Sequence, residues 1–295
     1  MSKKALLVFV IFIFIATSSI AQSSEFKTQR AQLAVFNIGL NGLIGGVGSL
    51  INNNDGQANF RTFARGFYKG AIGGGISHIG LSMAHQIDKQ QSMALAWPVR
   101  MVNSLGSSII QNAAEDKRMF ERLHFNLYLT RLEFFPYQSQ KKFKARLFTS
   151  SVYGLLVVGK GARFDLGKTL LSGIMYFESD GRFSSSIGSG RATGQVSSIG
   201  IRSDLEGAEF YDTFAEEVAH IMQYDRKVGG NALMKNIDTK WRESSTFYKS
   251  LSKYIYLDLN GPVFWLAYTI ENSTSCNFFE QEAVNYANKR LDDCR

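Results

Sequence analysis

Cysteine and proline are scarce in this 295-residue chain, with two of the first and three of the second. Two cysteines cannot build the multi-bridge framework of a small secreted scaffold. Three prolines exclude a Pro-rich spacer. Charge is sparse too: Asp, Glu, Lys and Arg make up 20% against 45% hydrophobic residues, which excludes a disordered tail. Glycine is plentiful at 27, but it follows no three-residue period, so the chain is not collagen-like. Two catalytic signatures are missing. No serine sits in a G-x-S-x-G elbow, and GKGARFDLGK lacks the spacing of a phosphate loop. What remains is enough chain for one large domain or two small ones.

Lys3 and Lys4 precede a short apolar run, Ala5 to Ala16, followed by TSSIAQ with small residues at Ser19 and Ala21. A basic start, an apolar centre and a small-x-small end read as a secretory signal peptide over 1–21, cleaved after Ala21. The run is shorter than the ~20 residues of a spanning helix, and no Cys follows Ala21 to carry a lipid. Of the 33 basic residues, loss of Lys3 and Lys4 leaves 31 against 25 acidic ones, a net charge of +6. The expected location is the periplasm or the outer-membrane periphery. A basic chain there is expected to contact an anionic membrane surface or an acidic partner, and no nucleic acid. Lys141, Lys142, Lys144 and Arg146 are expected to form a solvated turn. Cys276 and Cys294 are expected to pair as a disulfide that ties down the C-terminus. Asn272-Ser273-Thr274 matches the glycosylation sequon, which matters only in a eukaryotic pathway.

The pattern predicts an α+β protein: the signal over 1–21, a glycine-rich helical region over 22–120 and an α+β domain over 121–295. Phe36 to Ile51 is uncharged, Phe60 to Ile87 carries Gly66, Gly70 and Gly74 one turn apart, and a third helix is predicted from Met101 to Asn112. Interior glycines each cost a helix ~1 kcal/mol relative to Ala, and close helix–helix approach offsets that cost. The first run contains Asn37 and Asn41 and is too short to span a membrane, so a packed layer is expected, with the apolar helices offering a docking surface. HFNLYLTRLEFF, FKARLFTSSVYGLLVVG, TLLSGIMYFES and GQVSSIGIR then read as strands of an antiparallel meander, with Ser184 to Gly194 as a loop. Asp258 is expected at a strand end or turn, and Phe264, Trp265 and Tyr268 in a core.

Helical periodicity returns after residue 207. Phe210, Phe214, Val218, Ile221 and Met222 mark a buried stripe, with Glu216, His220 and Gln223 on the opposite face. The stretch Glu216-Glu217-Val218-Ala219-His220-Ile221-Met222-Gln223 resembles the H-E-x-x-H-x-x-Q helix of the zincin metallopeptidases. In that family two histidines one turn apart bind zinc, and the glutamate after the first is the general base. Glu217 matches that base and His220 the second histidine, while Glu216 stands where the first belongs. Downstream, Glu280-Gln281-Glu282-Ala283 matches the E-x-E-A pattern from which zincin relatives take a third ligand. The resemblance spans residues ~125–290 loosely and rests on about a dozen positions.

The resemblance implies an antiparallel sheet ahead of the motif helix and a metal set of Glu216, His220 and Glu280 or Glu282. With a carboxylate in the first ligand position, a harder cation than zinc is favoured. His78, His85 and His124 add no ligand, and His124 shows no evident partner in sequence. Two functions follow as expectations. In the first, the chain is a non-catalytic envelope protein without a cofactor, binding an envelope or outer-membrane partner, as an accessory or plug subunit of an export channel would. In the second, it is an envelope peptidase that uses Zn or another divalent metal, with Glu217 as base.

Overall fold

The computed structural model describes residues 30–53, 59–140, 142–181, 183–185, 188–190, 192–226, 230–261 and 278–287. The signal segment, Asn272, Cys276, Cys294, Phe264, Trp265 and Tyr268 lie outside that set. The chain is α+β, as its sequence predicts. Helices α1 (Arg30–Asn52), α2 (Phe60–Ser82), α3 (His85–Lys89) and α4 (Ala96–Ala114) come first. Strands β1 (Leu123–Leu127), β2 (Thr130–Phe134) and β3 (Phe143–Phe148) follow, then α5 (Thr149–Val158), β4 (Arg163–Phe164), α6 (Leu166–Ser172) and β5 (Met175–Ser179). Next come β6 (Phe183–Ser185), β7 (Gly188–Gly190), β8 (Ala192–Gln195) and β9 (Ser198–Arg202). The last described elements are α7 (Gly207–Arg226), α8 (Gly230–Leu233), α9 (Lys235–Ser244), α10 (Thr246–Leu251), β10 (Ile255–Tyr256) and α11 (Phe278–Ala287).

The strands do not form one meander. They form two four-stranded sheets, ordered β1-β2-β3-β10 and β4-β5-β9-β8, plus the β6-β7 hairpin. Most pairs are antiparallel, but β10 joins β3 and β9 joins β5 in parallel. Two expected strands are part helix. FKARLF is β3, while TSSVYGLLVV forms α5, and TLLS ends α6 before Gly173 turns the chain at φ 72° into β5. Asp165 starts α6 by accepting a hydrogen bond from the Lys168 N–H at 2.9 Å. The expected loop over Ser184 to Gly194 includes paired strand residues of β6, β7 and β8. The second helix stops at Ser82 and not at Ile87, and α4 begins before Trp97-Pro98, because proline is tolerated in a first turn.

The glycine ridges are used inside the fold. Gly66 and Gly70 of α2 press on the backbone of Gly45 and Asn41 in α1, and Gly73 meets Gly106 of α4. A Cβ on Gly74 would stand 2.6 Å from the Asn37 carbonyl oxygen, and one on Gly80 would stand 2.7 Å from the Asn103 nitrogen. These are backbone contacts, so no side chain can move aside to relieve them. Helix α1 is longer than its uncharged run and, by length and composition, could cross a membrane, yet 61% of its apolar window is buried within the fold.

The β1-β2-β3 sheet is turned inside out relative to the usual pattern. Its buried positions are His124, Asn126, Arg131, Glu133, Arg146 and Phe148, and its exposed ones include Phe134, Phe143 and Leu147. The buried face lies against the serine-rich side of α4: His124 Nε2 is 3.1 Å from Ser107 Oγ, and its Nδ1 is 3.0 Å from Ser108 Oγ. His124, expected to lack a partner, is held on both ring nitrogens. Burial, then Arg131 and Arg122, push its pKa well below the usual value, so it is neutral.

Glu133 has no exposed side-chain surface and is paired with Arg146, with Arg131 at 3.3 Å and with Arg122 at 3.6 Å. Arg122 also pairs with Glu115, which Lys117 meets at 2.7 Å. The Arg131 and Arg146 guanidinium carbons lie 4.2 and 4.6 Å from the Tyr256 ring centre. Arg146 is therefore a buried structural cation and not part of a solvated turn. Burial works against ionising both carboxyls. Arg122 and Lys117 beside Glu115, and Arg131, Arg122 and Arg146 around Glu133, outweigh it and hold both at about 2, down from 4.5. A carboxyl with a depressed folded pKa stabilises the fold above its unfolded pKa and loses that contribution as pH falls through the folded one. The urea midpoint is expected to fall between pH 4.5 and about 2, beyond the decline that buried, neutral His124 begins near 6.5. A flat midpoint across that window contradicts the assignment.

Candidate metal centre

Helix α7 buries the predicted stripe: Phe214, Val218, Ile221 and Met222 have no exposed surface, and Phe210 retains 8%. That fixes the helix rotation and leaves Glu216 and His220 half-buried, one turn apart. Helix α11 packs beside α7 and brings Glu280 to them. His220 Nε2 lies 3.3 Å from Glu280 Oε2. One potential ligand atom from each of Glu216, His220 and Glu280 lies within 4.8 Å of the others. Three of the predicted site residues are thus brought together.

Glu282 does not join them. It is 1% exposed, and both its oxygens accept amide hydrogen bonds, from Asn37 Nδ2 at 3.2 Å and from Gln223 Nε2 at 2.9 Å. Glu217 is also buried and turns toward strand β8, where a Cβ on Gly194 would stand 2.8 Å from its Oε2. Gln223, expected on the polar face opposite the buried stripe, is fully buried. Its amide donates to the Phe279 carbonyl at 2.9 Å, and its Oε1 lies 3.2 Å from His220 Nδ1.

Sequence reasoning missed the far side of this network. Asn37 Nδ2 also donates to the Tyr286 hydroxyl at 2.9 Å, and His78 Nδ1 lies 2.8 Å from that same hydroxyl. A continuous chain of polar contacts therefore runs from His220 through Gln223, Glu282 and Asn37 to Tyr286 and His78. The available signal was Asn37 itself, one of two asparagines in the uncharged run Phe36 to Ile51. His85 stays outside the network, with its Nδ1 2.6 Å from the Ser82 carbonyl oxygen.

Burial works against charging His220, but Glu280, then Glu217 and Glu216, outweigh it and raise its pKa to about 10. The imidazolium partly balances the three surrounding carboxylates. An excess of negative charge around three converging O, N and O donors fits a divalent cation, and its oxygen-rich character favours the harder ones. No family model, curated protein or solved structure matches this chain.

Replacing Glu282 with Ala leaves the Asn37 and Gln223 amides without their buried acceptor. The Glu282→Ala chain is expected to lose about 2–4 kcal/mol of stability in chemical denaturation, the cost of stranded buried polar groups. A loss under about 0.5 kcal/mol, the range of an ordinary surface substitution, would show that the network is not structural.

Proposed function

We propose that this chain is an exported protein of the cell envelope, with a zincin-like domain that binds a divalent cation and works by engaging an envelope or outer-membrane partner. The observation that carries the cation site is the convergence of Glu216, His220 and Glu280 within 4.8 Å. Glu216 and Glu280 would hold the ion through oxygen and His220 through nitrogen, while Gln223 orients the imidazole from the other ring nitrogen. When bound, a divalent cation supplies Lewis acidity. Two anionic ligands cancel both of its charges, whereas histidine in place of Glu216 would leave one uncancelled. That weakens its acidity and favours a binding role over hydrolysis.

The surface supports the partner reading. The outward face of the inverted sheet joins Phe134 to Phe143 in direct register, with Leu147 further along β3, and these are 44%, 61% and 41% exposed. Contiguous exposed apolar area of this kind marks an interaction site. The glycine ridges are spent on internal packing, so the docking role passes from them to this face.

A second reading, a metal-dependent peptidase with Glu217 as general base, is favoured by one observation: Glu217 lies close enough for its charge to act on His220. Elemental analysis of the purified chain from Gln22 onward tests both readings, with Glu216→His and Glu217→Gln variants beside it. The expected result is about one divalent ion per chain, with casein left uncut. A metal-free natural chain overturns the cation site. Casein cleavage that Glu217→Gln abolishes establishes the second reading.

A further inference from the structure

A cavity of about 290 Å³ opens between the buried charge network and helix α9, away from the residues of the metal cluster. Six cations line it: Lys117, Arg122, Lys144, Arg146, Lys235 and Arg242. Among the described residues three carboxylates face them, and each is already engaged. Glu115 pairs with Arg122 and Lys117, Glu133 with three arginines, and Asp238 with Arg242 at 2.6 Å and the Tyr248 hydroxyl at 2.6 Å.

Among the described residues Lys144 Nζ reaches the Ser252 carbonyl at 3.5 Å, and Lys235 Nζ the Glu115 carbonyl at 3.2 Å. Neither has a carboxylate partner among the described residues. Arg146, 5% exposed, and Arg242 each have a buried Nε without an acceptor. Trp241 and Tyr248, whose rings meet edge to face, supply an aromatic wall.

We infer that this cavity binds a phosphate-bearing small molecule, its phosphate between Lys144 and Lys235 and its apolar body against Trp241. The net +3 of the lining suits a phosphate, which carries about −1.5 to −2 at neutral pH, better than a single carboxylate. Burial, followed by Arg146 at Lys144, lowers the pKa of that lysine, and burial also lowers the pKa of Lys235. An incoming anion relieves the crowding that contributes to these shifts. The volume fits a small ester and not a macromolecule.

Calorimetric titration of the full mature chain with inorganic phosphate and with phenyl phosphate, at fixed ionic strength, tests the inference. Vesicles of phosphatidic acid against phosphatidylcholine separate a lipid headgroup from a free ester. Saturable binding of either free phosphate is expected, weakened about tenfold or more in Lys144→Met/Lys235→Met and restored in Lys144→Arg/Lys235→Arg. Trp241→Ala should weaken phenyl phosphate and spare inorganic phosphate. Binding to phosphatidic acid vesicles alone, with the same lysine dependence, keeps the phosphate site and assigns it to a lipid. No saturable binding to any of the three probes, or binding unchanged in the double Met variant, overturns it.

Discussion

The close approach of α1 to α2 is the contact on which the rest of the structure depends. Only glycine at positions 66, 70 and 74 lets the two backbones meet, and Gly74 sits directly against the Asn37 carbonyl. With α1 pressed there, the Asn37 side chain projects onto α11 and donates to both Glu282 and Tyr286. Glu282 in turn accepts from Gln223 of α7. Glu280, two residues earlier on α11, is thereby delivered to His220. The conformational cost of many helical glycines is thus coupled to the placement of a cluster far away in sequence.

The second organising feature is the inverted sheet. A buried face of His124, Asn126, Arg131, Glu133 and Arg146 is tolerable only because its charges are paired and its polar atoms largely bonded. Removing one partner of such a pair typically costs about 3–5 kcal/mol, since the other charge stays buried. This arrangement sends phenylalanine and leucine outward and leaves a surplus of cations at the edge of the network. The apolar face follows from that reversal of sheet polarity, and Lys144 and Arg146 of β3 contribute two of the basic cavity's cations.

Much of the fold was legible where periodicity carries the signal. The α7 stripe from Phe210 to Met222, the glycine-rich helices and the mixed α+β class all follow from spacing. In the site, the sequence named Glu216, His220 and Glu280, because a one-turn spacing on α7 and a charged pattern on a later helix suffice to nominate ligands. It also proposed Glu282, because the two glutamates of E-x-E-A cannot be told apart without knowing which one meets Gln223. Two hairpins were unreadable. They turn at Tyr128 and Val196, both at positive φ, 51° and 54°. Neither residue type signals a left-handed turn, and for β-branched valine that conformation is strained. The sheet reversal was hidden for a related reason. Alternation says which residues share a face but not which face is buried, and Arg146 beside lysines looked like surface. Asn37 was noticed only as a blemish in a possible span, since its partners lie 245 and 249 residues away.

On this reading the glycine contact and the Glu216, His220 and Glu280 cluster form one mechanical unit. Amide hydrogen exchange on a Gly74→Ala chain tests it most directly. The added methyl must push against the Asn37 carbonyl, so protection is expected to fall together in α1, in α2 and in residues 278–287 of α11. Protection lost in α1 and α2 alone, with α11 as protected as in the natural chain, would contradict it.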